Sequence, residues 1–205
     1  MRRSHRRVVL AAAAAALPFA SAPAEQAATA AAVVEQFHAA LLDAMRNARA
    51  LGPRGRERRL RPAMQAAFDL PAMTRIAVGP PWTGLPEGER QALVAAFSDW
   101  VVATYANRFD GYSGESFATV GESTLQNGDR LVRTQLLRPN DAPVQLNYLL
   151  RGGEGQWRVV DIYLGGTVSE LASRRADFTA LLREGGAERL VAELRRRTGA
   201  LLGGA

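Results

Sequence analysis

Between residues 114 and 165 the apolar residues change from a helical period to a period of two, which limits the fold of the whole chain. Four segments alternate in this way, at 115–121, 130–138, 142–151 and 156–164. Their connectors are short and carry turn-forming Gly, Asn, Asp or Pro. Strands joined by such short connectors pair antiparallel with the next strand in the chain. The pattern therefore predicts a four-stranded antiparallel meander.

The third and fourth segments indicate where this meander is apolar. The third has one apolar face, formed by Val144, Leu146, Tyr148 and Leu150. The fourth is apolar on both faces, with Val160, Ile162 and Leu164 expected together on one of them. A strand of this kind is typical of a sheet covered on both sides. A one-residue error in register would exchange the two faces, so either face could be the one that lines a site.

Helical periodicity occupies the chain on both sides of the meander. Before it, helices are predicted over about 27–51, 57–68, 71–78 and 87–109. After it, Thr167 and Glu170 have the spacing of a capping box at the start of a helix over 168–184. A second helix, over 187–201, follows the Gly185-Gly186 pair. This order predicts an α+β fold, in which N-terminal and C-terminal helices flank a curved meander and enclose an apolar cavity.

The first 24 residues have the pattern of a cleaved export signal. Four arginines precede an apolar stretch at 8–20, and Ala22-Pro23-Ala24 offers a small-residue cleavage site. The interpretation is a signal peptide at 1–24 and a single domain at 25–205. A short membrane anchor is the alternative. The arginines suit either the Sec or the twin-arginine route, so the route stays open.

Composition argues against several classes of function. All 26 basic residues are arginine, but four leave with the signal peptide, and the remaining 22 nearly balance 20 acidic residues. This charge, without a basic face interleaved with aromatic residues, does not favour nucleic-acid binding. The absence of cysteine excludes disulfides, thiolate nucleophiles and thiolate metal sites.

Candidates for catalysis are few. His38 is the single histidine after residue 24, and it lies beside the apolar stripe of the first predicted helix. An exposed or hydrogen-bonded helix histidine is the interpretation that the pattern favours. Asp161 lies mid-strand among apolar residues, where it is either a structural acid paired with a donor or a general base. The surplus of aromatic residues indicates either an apolar binding cavity or simply a core.

An ordered set of residues resembles the toluene-tolerance family, the MlaC-type periplasmic lipid shuttles of Gram-negative bacteria. It consists of Phe68-Asp69-Leu70, Gly79-Pro80-Pro81-Trp82, Phe97 with Tyr105, Tyr148, Trp157-Arg158-Val159-Val160-Asp161-Ile162 and the 190–194 ending. Members that carry phospholipid usually have a Gly-Ile/Val-Ser-Leu turn followed by a Tyr-Arg pair. The corresponding run here, from Tyr163 to Arg175, is instead similar to the hopanoid-associated branch called HpnM.

The resemblance implies a soluble, non-enzymatic periplasmic carrier without cofactor or metal. Such a carrier takes a phospholipid or hopanoid from one membrane complex, an ABC-type inner-membrane complex or a hopanoid transporter, and exchanges it with an outer-membrane lipoprotein. We expect twelve residues to line or gate its lipid-binding cavity: Phe68, Met73, Trp100, Tyr105, Phe109, Val132, Leu136, Leu146, Tyr148, Ile162, Leu171 and Phe178.

Two other functions remain open from the sequence. One is a small enzyme with a pocket in which Asp161 acts as the base. The other is a periplasmic adaptor or chaperone that binds peptides or lipoproteins through an exposed groove.

Overall fold

The computed structural model describes residues 28–153 and 156–203. The predicted signal peptide at 1–24 lies outside the described residues. The helices are α1 (Ala30–Arg46), α2 (Ala48–Ala67), α3 (Leu70–Val78), a 3₁₀ turn (Pro80–Gly84), α4 (Glu87–Arg108) and α5 (Glu170–Leu201). The strands are β1 (Ser116–Thr124), β2 (Arg130–Arg138), β3 (Asp141–Arg151), β4 (Arg158–Leu164) and β5 (Val168–Ser169). Among the helices of these ranges, none combines the length and the hydropathy of a membrane-spanning segment.

The strands form one antiparallel sheet in the order β1-β2-β3-β4-β5, with helices around it. The α+β class and the meander are confirmed, but the predicted number of four strands is wrong. The fifth strand has two residues, paired with the end of β4. Gly165 and Gly166, with φ of 64° and 85°, turn the chain back for this short pairing before α5 begins.

Ser169, and not Thr167, caps the last helix. The Ser169 hydroxyl accepts a hydrogen bond from the Ala172 amide at 2.9 Å and donates one to Asp161 at 2.6 Å. The predicted Thr167–Glu170 capping box is therefore wrong by two residues, because β5 delays the start of α5. The second Asp161 oxygen accepts from the Ile162 amide at 2.7 Å. Asp161 thus ties the end of β4 to the start of α5.

A β-bulge at Val160 changes the faces of β4. Leu149 pairs with Asp161 and Leu150 pairs with Val159, so Val160 is the extra residue between them. Val159 therefore lies on the same face of the sheet as Ile162 and Leu164. This face packs against the helices, and we call it the inner face. The bulge thus adds Val159 to the face predicted for Ile162 and Leu164, and Val160 is itself fully buried.

Two glycines break the helices that surround the sheet. Gly52 in α2 and Gly186 in α5 have φ of 60° and 66°, a conformation that glycine adopts without steric penalty. The predicted break at Gly185-Gly186 is confirmed. The first helix ends earlier than predicted, at Arg46, where the Asn47 side-chain amide donates to the Asp43 carbonyl at 2.8 Å.

His38 is buried in the core that joins α1 to the inner face of the sheet. Its Nε2 lies 3.0 Å from the Tyr148 hydroxyl, and its ring stacks on Phe117 with centroids 4.0 Å apart. Burial lowers the pKa of His38 to about 4. The predicted hydrogen-bonded histidine is thus observed in a fully packed setting.

This burial makes stability depend on pH. Below about pH 6.5 the unfolded chain protonates His38, whereas the folded protein holds it neutral down to about pH 4. The free energy of unfolding should therefore fall by about 2 kcal/mol between pH 7 and pH 5. Urea unfolding of the wild type and of His38→Gln, which cannot titrate, measures the effect. Equal pH slopes for the two proteins would contradict the prediction.

Candidate binding cavity

A cavity of about 270 Å³ lies between α4, the first turns of α5 and one half of the inner sheet face. The backbone of α4 packs mainly against α2, α3 and α5, and it covers the strands without lying directly on them. This spacing leaves room beneath α4. The cavity is lined by Met73, Phe97, Trp100, Val101, Thr104, Tyr105, Arg108, Phe109, Leu136, Val144, Leu146, Ile162, Leu164, Glu170, Leu171 and Arg174.

The two long sides of the cavity follow from simple periodicities. On α4, the lining residues from Phe97 to Arg108 recur every three or four positions and share one helix face. On the sheet, Leu136 pairs with Val144 and Leu146 pairs with Leu164, which places all four on the inner face. Both sides are therefore predominantly apolar along the length of the cavity.

An aromatic cluster closes the inner end of the cavity. The Tyr105 ring lies 5.5 Å from Phe37, 5.9 Å from Phe68 and 5.7 Å from Phe109, measured between centroids. Burial raises the pKa of Tyr105 well above its ordinary value, so its hydroxyl stays protonated. The same inner sheet face continues behind this cluster into the solid core, through Tyr148.

The opposite end is open, and we call it the mouth: Arg108, Leu164, Glu170 and Arg174. Arg108 is 46% exposed and Leu164 37% exposed. Arg174 places its guanidinium 5.5 Å from the centre of the Trp100 ring. The cavity is thus apolar inside and charged where it meets water. It opens to solvent, whereas the sequence predicted an enclosed cavity.

Eight of the twelve predicted residues line the cavity: Met73, Trp100, Tyr105, Phe109, Leu136, Leu146, Ile162 and Leu171. The other four, Phe68, Val132, Tyr148 and Phe178, lie in the core. Phe68, Val132 and Tyr148 belong to the packed core beyond the closed end of the cavity. Phe178, on α5, packs against α4, with its ring 6.3 Å from Phe97 and 6.0 Å from Trp100.

Sequence reasoning missed eight lining residues: Phe97, Val101, Thr104, Arg108, Val144, Leu164, Glu170 and Arg174. Helical spacing from Trp100 and Tyr105 could have found Phe97 and Val101. Strand alternation from Leu146 and Ile162 could have found Val144 and Leu164. The charged residues of the mouth gave no such signal, because apolar periodicity does not mark charged side chains.

Asp161 does not belong to this cavity. It lies on the outer face of β4, opposite Leu149, and both of its oxygens accept hydrogen bonds that hold β4 and Ser169. A general base would have to reach a bound substrate within hydrogen-bond distance. The structural role considered for this acid in the sequence analysis accounts for its position.

Residues 35–196 match the family of the MlaC protein. The chain belongs to the MlaC family. This confirms the family resemblance inferred from the sequence. The fold is also similar to that of the phospholipid-binding protein from Ralstonia solanacearum, whose structure was solved in complex with a phospholipid. The TM-score is 0.74 at 21% identity, and the match covers 85% of this chain and 99% of the other.

Replacing Asp161 by Asn should weaken the fold and leave the cavity unchanged. The variant loses the charge in two hydrogen bonds, so the free energy of unfolding should fall by about 1–3 kcal/mol. Binding of a fluorescent fatty-acyl probe in the cavity should stay within twofold of the wild type. A folded Asp161→Asn protein with strongly reduced probe binding would place Asp161 in the site after all.

Proposed function

We propose that this protein is a lipid carrier that holds the acyl or ring portion of its cargo in the cavity beneath α4. The observation that carries the proposal is the shape and chemistry of that cavity, which is apolar along its length, closed by aromatic residues at one end and open at the other. A lipid entering tail first would bury its apolar part and leave its polar end at the mouth.

A lipid that crosses water between two membranes needs its apolar part shielded, because the free energy of exposing that part is large. Exposing an acyl chain to water is unfavourable by about 0.8 kcal/mol per CH₂ group, so a chain of roughly fifteen carbons needs on the order of 12 kcal/mol of shielding. Free diffusion of such a lipid between two membranes is correspondingly slow. A carrier removes this barrier by burial alone, and no catalytic group is required.

We propose no catalytic step at this site. Its polar side chains are Thr104, Tyr105, Arg108, Glu170 and Arg174. The Thr104 hydroxyl already donates to the Trp100 carbonyl at 2.8 Å, and Tyr105 is buried in the aromatic cluster. The remaining three are the charged residues of the mouth, which suit contact with a polar headgroup in water.

The cargo class is a phospholipid or a hopanoid. The phospholipid bound by the Ralstonia solanacearum protein supports the first, since the two proteins share a fold. The run from Tyr163 to Arg175, which resembles the hopanoid-associated branch, supports the second. A rigid polycyclic hopanoid would need a broader cavity than flexible acyl chains.

We further propose that the carrier works in the periplasm. The export-signal pattern of residues 1–24, although outside the described residues, supports this location, as does membership of the MlaC family. Its expected partners are an inner-membrane transport complex, of the ABC type or a hopanoid transporter, and an outer-membrane lipoprotein. Each would receive or donate lipid at the mouth.

A charge placed in the cavity tests this function. Leu146 lies on the inner face of β3 and lines the cavity, whereas its neighbour Gln145 is exposed on the outer face. Leu146→Arg should reduce lipid uptake from phospholipid vesicles at least tenfold, because a guanidinium in an apolar cavity opposes tail burial. Gln145→Arg adds the same charge to the same strand and should take up lipid like the wild type.

The measurement is the lipid recovered with each protein after it is separated from the vesicles, with circular dichroism to show that both variants fold. Undiminished uptake by a folded Leu146→Arg protein would contradict the cavity as the binding site.

A further inference from the structure

We infer that the mouth recognises the phosphate of a phosphodiester headgroup, through Arg108 and Arg174, and that Glu170, which lies between them, competes with that phosphate. This assignment rests on the proposed lipid-carrier function and names the chemical class of its cargo.

The geometry of the three charged residues carries the assignment. One carboxylate oxygen of Glu170, Oε2, lies between two guanidinium nitrogens, 3.5 Å from Arg108 Nη2 and 3.9 Å from Arg174 Nη2. A charge-assisted hydrogen bond between such groups is normally about 2.7–2.9 Å long. Glu170 therefore lies between the arginines without bonding closely to either. A phosphodiester has two free oxygens and can accept from both arginines at once.

Arg108 and Arg174 differ in the structural roles that they have besides lining the mouth. Arg108 ends α4 and Glu170 begins α5, so each also stabilises its own helix through the helix dipole. Arg174 lies one turn into α5, where the dipole gives no reason for a cation. Its guanidinium carbon instead lies 5.5 Å from the centre of the ring of Trp100, which is itself a lining residue of the cavity. A cation–π contact of this kind holds the guanidinium beside the cavity.

Charge balance at the mouth favours an anion. Arg108, Glu170 and Arg174 are the charged residues among those lining the cavity in the described part of the chain, and together they carry a net charge of +1. These side chains are partly exposed, at 46%, 23% and 36%, so an arriving headgroup can reach them. When the tails of a phospholipid lie in the cavity, its first polar group would lie beside these three side chains.

The test compares two lipids with identical tails. Dioleoyl-phosphatidylglycerol carries the phosphodiester and dioleoylglycerol lacks it, and both are delivered as cyclodextrin complexes to the delipidated protein. Native mass spectrometry then gives the bound fraction of each. The wild type should bind the phospholipid about tenfold more tightly, the effect of one to two charge-assisted hydrogen bonds at a partly exposed site.

Substitutions in the mouth should affect the binding of the two lipids differently. Arg108→Gln with Arg174→Gln should weaken phosphatidylglycerol binding about tenfold more than it weakens dioleoylglycerol binding. Glu170→Gln should strengthen phosphatidylglycerol binding severalfold, since the competing carboxylate is removed. The matched control, Arg183→Gln with Arg195→Gln, removes the same charge from exposed positions of α5 outside the cavity lining and should change neither lipid.

The outcomes distinguish this assignment from the function on which it rests. Binding of neither lipid by the wild type would overturn the carrier function itself. Equal binding of both lipids, or an Arg108/Arg174 double variant that binds phosphatidylglycerol like the wild type, would overturn the headgroup assignment alone.

A free anion is the other source of the same chemistry. Excess inorganic phosphate, compared with sodium chloride of equal ionic strength, should weaken phosphatidylglycerol binding by no more than the tenfold that the arginines supply, because the tails supply the rest of the affinity. Complete displacement of the lipid by inorganic phosphate would show a site for a small anion and would overturn the assignment to a lipid headgroup.

Discussion

The apolar inner face of the sheet must be shielded from water, and the helices shield its two halves differently. Near Tyr148 and Val159 the side chains of α1, α2 and the following turn fill the space, and Phe37 and Phe68 pack there edge to face at 4.7 Å. Near Leu146 and Leu164, α4 is held away by its neighbours, and the space beneath it stays open. One continuous sheet face thus provides both the core and the cavity.

The junction between α4 and α5 connects this cavity to its mouth. Phe97, Trp100 and Phe178 hold the two helices together through their rings, while Asp161 and Ser169 fix where α5 begins. These contacts set the position of Glu170 relative to the end of α4. The charged residues of the mouth are therefore located by packing and capping, and their convergence follows from the fold of the whole domain.

Periodicity predicted most of this architecture, because strands and helices with one apolar face leave regular patterns in the sequence. It failed where the chain departs from regularity. The bulge at Val160 was hidden because Val159 and Val160 are both apolar, so either alternation reads equally well. The two-residue β5 is too short for any pattern, and it moved the helix cap from Thr167 to Ser169.

The cavity itself was predicted less completely than the fold. Apolar periodicity cannot separate the half of an inner face that packs from the half that stays open, which is why Val132 and Tyr148 were expected beside Leu136 and Leu146. That distinction depends on the distance between α4 and the sheet, a property of tertiary packing. Arg108, Glu170 and Arg174 come from two helices separated by the entire sheet in sequence, and only the folded chain brings them together.

Native mass spectrometry of the protein purified from the cells that produce it shows whether the cavity carries a lipid. Solvent extraction and identification of the released lipid would accompany it. We expect about one bound lipid per chain, with a phosphodiester headgroup. A protein that carries no lipid, and gains none on incubation with membranes, would contradict it.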